Sequence, residues 1–139
     1  MKLAIAESCT GGVLGERVTN IPGASRTFVG GVVAYANDVK VRELGVPEAL
    51  IAQHGAASEP VVRAMAEGVA RRFQAEASLA VTGVAGPDGG TPEKPVGTVW
   101  LAARLDGRCE SVQRRLLGDR DEIRRRAAQA ALDLLRRTL

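Results

Sequence analysis

Residues 2–12, "KLAIAESCTGG", run from an apolar stretch straight into a hydroxyl, a thiol, a second hydroxyl and paired glycines. "KLAIAE" predicts a short buried strand, because a brief continuous apolar run bounded by turn residues suits a strand packed on both faces. The following "GVLGERVTN" (12–20) sets Val13, Leu14, Val18 and then Ile21 at helical spacing. Thr10 is the expected cap of that helix, and Pro22–Gly23 ends it. A strand, a glycine turn and a helix in that order open an α/β fold.

The rest of the chain keeps this alternation. "FVGGVVAYA" (28–36) predicts a second strand, whose Gly30 and Gly31 imply close backbone approach. "NDVKVREL" (37–44) predicts a helical segment stopped by Gly45, and Pro47 suits the first turn of a short helix ending at Gly55. Ser58 opens a long amphipathic helix, "SEPVVRAMAEGVARRFQ". "SLAVTGVAG" (78–86) reads as a third strand running into the turn-rich "GPDGGTPEKPVG". "TVWLAARL" and "CESVQRRL" pair through an Asp-Gly hairpin signal. In the final helix Asp119 is the expected N-cap, with Glu122 completing a capping box. Ile123, Ala127, Ala130 and Leu134 form its apolar stripe, so its arginines are expected on a solvated or dimer-facing side. The fold class that follows is a single α/β domain over residues 1–139, with a mostly parallel sheet of about five strands covered on both faces.

Composition narrows the function. Of 139 residues, 45% are hydrophobic and 25% charged, which suits a globular chain with one core. Aromatic residues make up 3%, which argues against single-stranded nucleic acid as a partner, since stacking platforms are missing. No apolar run approaches the roughly 20 residues of a membrane helix, and "MKLAIAES" lacks the pattern of a signal peptide. Net charge is +3, with eight of nineteen basic residues from Arg114 onward. Two cysteines, Cys9 and Cys109, and one histidine, His54, supply neither a disulfide framework nor a zinc cluster. A reduced, cytoplasmic protein without metal, organic cofactor, nucleic-acid or membrane partner is expected.

Ligands of open α/β sheets gather at the carboxyl ends of the strands. "ESCTGG", "AYANDVK" and "TGVAGPDGGT" all fall there. Ser8 sits where a strand turns into a helix, with free backbone N–H groups nearby, but a serine needs a base to become nucleophilic. His54 lies in an inter-helix segment and reads as structural. Lys40, one turn into its helix, and Tyr35, at the end of the second strand, can reach the same sheet edge. A desolvated lysine serves as a general base, and a Ser–Lys pair needs no histidine. From spacing alone, a surface lysine and a half-buried tyrosine remain the plainer reading. Cys9 is the rival nucleophile and ranks below Ser8 as packing. The glycine loop is neither a Walker A sequence nor a Gly-x-Ser-x-Gly elbow. Lys94 and Arg120 are either phosphate cations or solvated side chains.

Taken together, "AESCTGG", "AYANDVK", "QHGAASEPV", "VTGVAGPDGGTPEKPVGTVW" and "GDRDEIRRRAA" resemble the C-terminal domain of the CinA family over essentially the whole chain. The resemblance implies a three-layer α/β/α sandwich on a mixed sheet. It also implies hydrolysis of nicotinamide mononucleotide to nicotinate mononucleotide and ammonia, as in nicotinamide-nucleotide amidase, by a homodimer. It implies a catalytic Ser8 with Tyr35 and Lys40, a pocket threonine at Thr82 and a substrate rim in the loop that follows. With the residues' own chemistry, this makes Cys9, Thr10, Gly11, Gly12, Thr82, Gly83, Gly86, Gly89, Gly90 and Arg120 the expected substrate-binding set. The oxyanion falls to amides near Cys9–Gly12, and the phosphate to Gly86–Gly90 with Arg120. Family members usually carry a helix before the first strand, and larger members another domain before that. The alternative is a CinA-type module that binds a pyridine nucleotide or a protein without turnover, and ammonia release separates the two.

Overall fold

The computed structural model describes Met1–Leu139 throughout. Its strands are β1 (Leu3–Glu7), β2 (Phe28–Val33), β3 (Ala77–Gly83), β4 (Thr98–Leu105) and β5 (Arg108–Arg115). The helices are α1 (Val13–Thr19), α2 (Asn37–Leu44), α3 (Glu48–His54), α4 (Glu59–Phe73) and α5 (Arg120–Thr138). One sheet in the order β2-β1-β3-β4-β5 holds the fold together. β1 pairs in parallel with β2 and β3, while β4 runs antiparallel to both β3 and β5. The five-stranded mixed sheet is therefore as expected, although its parallel and antiparallel pairings are equal in number because β4 is antiparallel to both neighbours.

Alternation along the strands builds two complementary cores. Leu3, Ile5, Leu79, Val81 and Leu101 project toward α1 and α5, where α5 answers with the small residues Ala127, Ala128 and Ala131. On the other face the sheet offers Ala4, Ala6, Ala80 and Ala102, and the bulk comes from Val62, Met65 and Val69 of α4. Large strand residues meet small helix residues on one side and the reverse on the other, which lets both layers interdigitate. α2 and α3 pack beside α4.

Local signals match closely at several ends. Asp106 and Gly107 both have positive φ (48° and 84°), as a two-residue hairpin requires. Asp119 and Glu122 make a complete capping box at α5. A Cβ at Gly31 would lie 2.4 Å from the Ile5 carbonyl oxygen, so the close approach of β2 to β1 depends on glycine there. Two expectations are corrected. β2 ends at Val33, so Tyr35 lies beyond the strand rather than at its end. α1 starts after Gly12 without a side-chain cap, so Thr10 does not cap it. No helix is long and apolar enough to cross a membrane.

From β1 the chain passes through α1 to β2 on one side and later returns through α4 to β3 on the other. The carboxyl ends of β1 and β3 therefore flank a crevice where the winding reverses, the place where open α/β sheets take ligands.

Candidate active site

That crevice opens into a cleft of about 410 Å³. Ser8 and Cys9 line it from the turn after β1, Tyr35 from the segment after β2, Lys40 from α2, Thr82 to Gly86 from the end of β3 and the loop beyond it, and Arg120 from α5. Gly89 of the expected set lies there too, joined by Asp88, Thr91 and Lys94. Thr10, Gly11, Gly12 and Gly90 do not line the cleft. Thr10 is buried with its hydroxyl turned to Glu7, and a Cβ at Gly90 would meet Val96 N at 2.8 Å.

Glu7, missed by sequence reasoning, explains the shape of the turn after β1. Its carboxylate is 2% exposed and accepts from the Thr10 hydroxyl (2.5 Å) and from the N–H groups of Gly12 (3.1 Å), Leu14 (2.9 Å) and Gly15 (2.9 Å). Two carboxylate oxygens satisfy three helix-terminal donors where one hydroxyl would satisfy one, so Glu7 does the work expected of Thr10. Glu7→Gln places an amide NH₂ against donors. It is expected to lower stability by on the order of 2–3 kcal/mol in denaturant unfolding, and an unchanged midpoint would contradict this role.

The amides around Ser8 then sort themselves. Ser8 N–H bonds Val81 O at 3.0 Å, Gly11 N–H bonds Ser8 O at 3.0 Å, and Gly12 N–H is held by Glu7. Cys9 N–H and Thr10 N–H have no protein acceptor. Of the expected oxyanion donors Cys9–Gly12, Cys9 alone combines an N–H without a protein acceptor with a place on the cleft wall, since Thr10 is fully buried away from it. The Ser8 side chain hydrogen-bonds no other protein group, and the residue is 8% exposed at the cleft wall.

Lys40 is 1% exposed and has no carboxylate partner. Burial pushes its pKa below the ordinary 10.5, with the nearby Cys9 thiol pulling weakly the other way. Its Nζ donates to the Tyr35 carbonyl oxygen at 3.1 Å. The same burial raises the Cys9 thiol to about 11, so Cys9 is un-ionised near neutrality and a poor nucleophile beside Ser8. Tyr35 itself is 58% exposed, and its hydroxyl accepts from Arg120 Nη2 at 2.9 Å. The tyrosine thus meets Lys40 through its backbone and Arg120 through its phenol.

Arg120 Nη1 also donates to Gly86 O at 2.6 Å. It pairs with neither Asp121 nor Glu122, which hold Arg125 and Arg126. Of the two readings of Arg120, a cation at the cleft or a solvated side chain, these contacts hold its guanidinium at the cleft while the residue remains exposed. Lys94 Nζ donates to the His54 carbonyl oxygen, and His54 itself does not line the cleft. Thr82 ties the site together from below, its hydroxyl donating to Ala56 O at 2.9 Å. A cleft with Lys94 and Arg120 against the single carboxylate of Asp88 favours an anionic ligand. No three His, Cys, Asp or Glu side chains converge to hold a metal ion.

This fold has counterparts among known proteins. The family model of the CinA C-terminal domain matches residues 1–139. The chain belongs to that family. A CinA-like protein of Gemmatimonas aurantiaca is 66% identical over 137 residues, covering 99% of this chain and 32% of that protein. A putative competence-damage inducible protein of Symbiobacterium thermophilum is 53% identical, covering all of this chain and 35% of that protein. The chain thus spans about a third of the length of the curated relatives it matches. Among solved structures, a competence-damaged protein (CinA) superfamily protein from Escherichia coli superposes with a TM-score of 0.96 at 32% identity, covering 100% of this chain and 81% of that one. The competence/damage inducible protein CihA of Agrobacterium tumefaciens gives 0.96 at 39% identity, covering 99% and 84%.

Proposed function

We propose that this chain hydrolyses the carboxamide of nicotinamide mononucleotide to nicotinate mononucleotide and ammonia. One observation carries the reading: a buried lysine with a lowered pKa and no carboxylate partner shares a cleft with a serine hydroxyl that nothing else engages. Lys40, neutral, takes the Ser8 proton as Ser8 Oγ attacks the carboxamide carbon. Cys9 N–H, on the cleft wall, receives the oxyanion. The protonated Lys40 then gives its proton to the departing amine, and water attacks the acyl-serine to release the carboxylate. Tyr35 stands at the mouth of the cleft, where its hydroxyl has a proton of its own to donate. Ammonia release from nicotinamide mononucleotide by the purified protein tests the reading directly, and none at any pH would refute it.

A second reading rests on Lys40 Nζ, which bonds the Tyr35 carbonyl rather than Ser8. A resting site of this kind also suits a module that holds a pyridine nucleotide without hydrolysing it. Nucleotide binding without ammonia release would select that reading.

The phosphate belongs with Arg120 and the loop Gly86–Gly90. Arg120→Ala is expected to weaken nicotinamide mononucleotide by about ten- to a hundredfold, the loss of a charge-assisted contact worth roughly 1.5–3 kcal/mol. Nicotinamide riboside, lacking phosphate, is expected to bind both proteins alike. Titration calorimetry of both ligands with both proteins decides, and equal losses remove Arg120 from the phosphate site.

A further inference from the structure

Lys40 has a place for an anion that the protein does not supply. Its Nζ makes one hydrogen bond, to the Tyr35 carbonyl oxygen, whereas a protonated ammonium carries three N–H donors. No carboxylate lies within ion-pair distance of it.

The charged groups around Lys40 are engaged elsewhere or carry the wrong sign. Glu7 is buried in the turn after β1, where its oxygens accept from Thr10, Gly12, Leu14 and Gly15. Asp38 and Glu43 on the lysine's own helix pair with Arg42 and with Arg72 of α4. Asp88, the only carboxylate on the cleft wall, is exposed on the loop after β3. Tyr35 turns its hydroxyl to Arg120, and Arg124 of α5 donates to Cys9 O and Thr10 O. Lys94 and Arg120 add further positive charge to the cleft, and the Cys9 thiol stays un-ionised near neutrality. With nothing to compensate the charged form, burial holds the Lys40 pKa below 10.5.

The proposed reaction makes the missing anion. Water attack on the acyl-serine leaves a carboxylic acid on the carbon that Ser8 held, in the cleft that Lys40 lines. A carboxylic acid is far more acidic than an amine, so its proton passes to Nζ, and –COOH with –NH₂ becomes –COO⁻ with –NH₃⁺. The carboxamide of the substrate is neutral and forms no such pair.

We propose that Lys40 is the carboxylate subsite for the product, so that each turnover ends on a Lys40–carboxylate ion pair and the acid inhibits by clamping the enzyme's own base. This rests on the amidase reading above. Departure of the acid and loss of the Lys40 proton are then linked, so the pH that frees the base also frees the product.

The test reads binding and needs no turnover. Calorimetry in buffers of different ionisation enthalpy counts the protons taken up with each ligand, across about pH 6–10. Nicotinate mononucleotide is titrated into wild type and Ser8→Ala, and nicotinamide mononucleotide into Ser8→Ala, where it is not consumed. The two ligands share one phosphate and differ in a single group, so phosphate titration cancels between them. Above the Lys40 pKa of the free protein, the acid is expected to take up as much as one proton more than the amide. Its Kd is expected to rise about tenfold per pH unit across that window. Below the window, Ser8→Ala is expected to bind the acid about ten- to a hundredfold more tightly than the amide, the worth of a charge-assisted contact. Lys40→Met is expected to erase both the preference and the extra proton.

Equal proton uptake for the two ligands, or a Kd for the acid that tracks that of the amide at every pH, overturns the proposal. So does a Lys40→Met protein that still prefers the acid. The Ser8→Ala comparison decides by itself where Lys40→Met does not fold. Wild type that releases ammonia yet binds the acid without the extra proton overturns this proposal alone. Wild type that releases no ammonia at any pH overturns the amidase reading, and this assignment with it.

Discussion

Ser8→Ala is expected to lower ammonia release from nicotinamide mononucleotide by about 10⁴-fold or more, with the far-ultraviolet circular dichroism and the thermal midpoint close to wild type. The chemical loss is large because nothing nearby replaces the hydroxyl. Cys9, the adjacent thiol, is held un-ionised by a pKa of about 11. The structural loss is small because the Ser8 side chain makes no hydrogen bond within the protein. Its N–H keeps its bond to Val81 O whatever the side chain, and Glu7 continues to hold the turn. Wild-type-like turnover in this variant would exclude Ser8 as the nucleophile. A collapse of the circular dichroism signal would instead place Ser8 among the residues that hold the turn together.

Lys40 carries the second large effect. Lys40→Met and Lys40→Arg are each expected to lower kcat by about 10²–10⁴-fold, the usual contribution of a general base. Arginine keeps the charge but cannot be deprotonated in a protein, so it separates basicity from electrostatic attraction. Methionine fills the same buried space without a titratable group, which covers the case in which the larger arginine does not fit. In wild type, activity is expected to rise with pH through the lowered Lys40 pKa and then level off, since the neutral amine is the active form. The sign for stability follows from proton binding. Between the folded-state pKa and the ordinary 10.5, the unfolded chain holds more protons at this site than the folded one, so stability rises with pH across that window. Below the window both states are protonated, and this dependence disappears. Lys40→Met is expected to abolish that slope, which pH-dependent denaturant unfolding measures. Near-normal activity in Lys40→Arg would show that the site needs charge and not a base.

Short-range chemistry by itself determined a good deal of this protein. The buried strand Leu3–Glu7, the Asp106–Gly107 hairpin and the Asp119–Glu122 capping box each depend on residues only a few positions apart, so they are legible in the amino-acid order. The alternation of strands and helices likewise placed Ser8, Lys40 and Thr82 at one sheet edge before any coordinates. What tertiary structure decided is which polar groups become partners across long stretches of chain. Thr10 looked like the cap of α1, yet the buried Glu7 carboxylate took the helix donors because two oxygens satisfy more N–H groups than one hydroxyl. The sequence leaves Arg120 as a phosphate cation or a solvated side chain and sets Arg124 on a solvated or dimer-facing side, and both stand on the line of the buried Ala128, eight and four residues before it. They prolong the stripe that α5 presses onto the sheet, a signal that the capping box and the apolar spacing almost spelled out. Their acceptors on Tyr35 and Thr10 are 85 and 114 residues away. Periodicity sets which side of a helix turns inward, whereas only the packed layers decide which carbonyl or hydroxyl waits there.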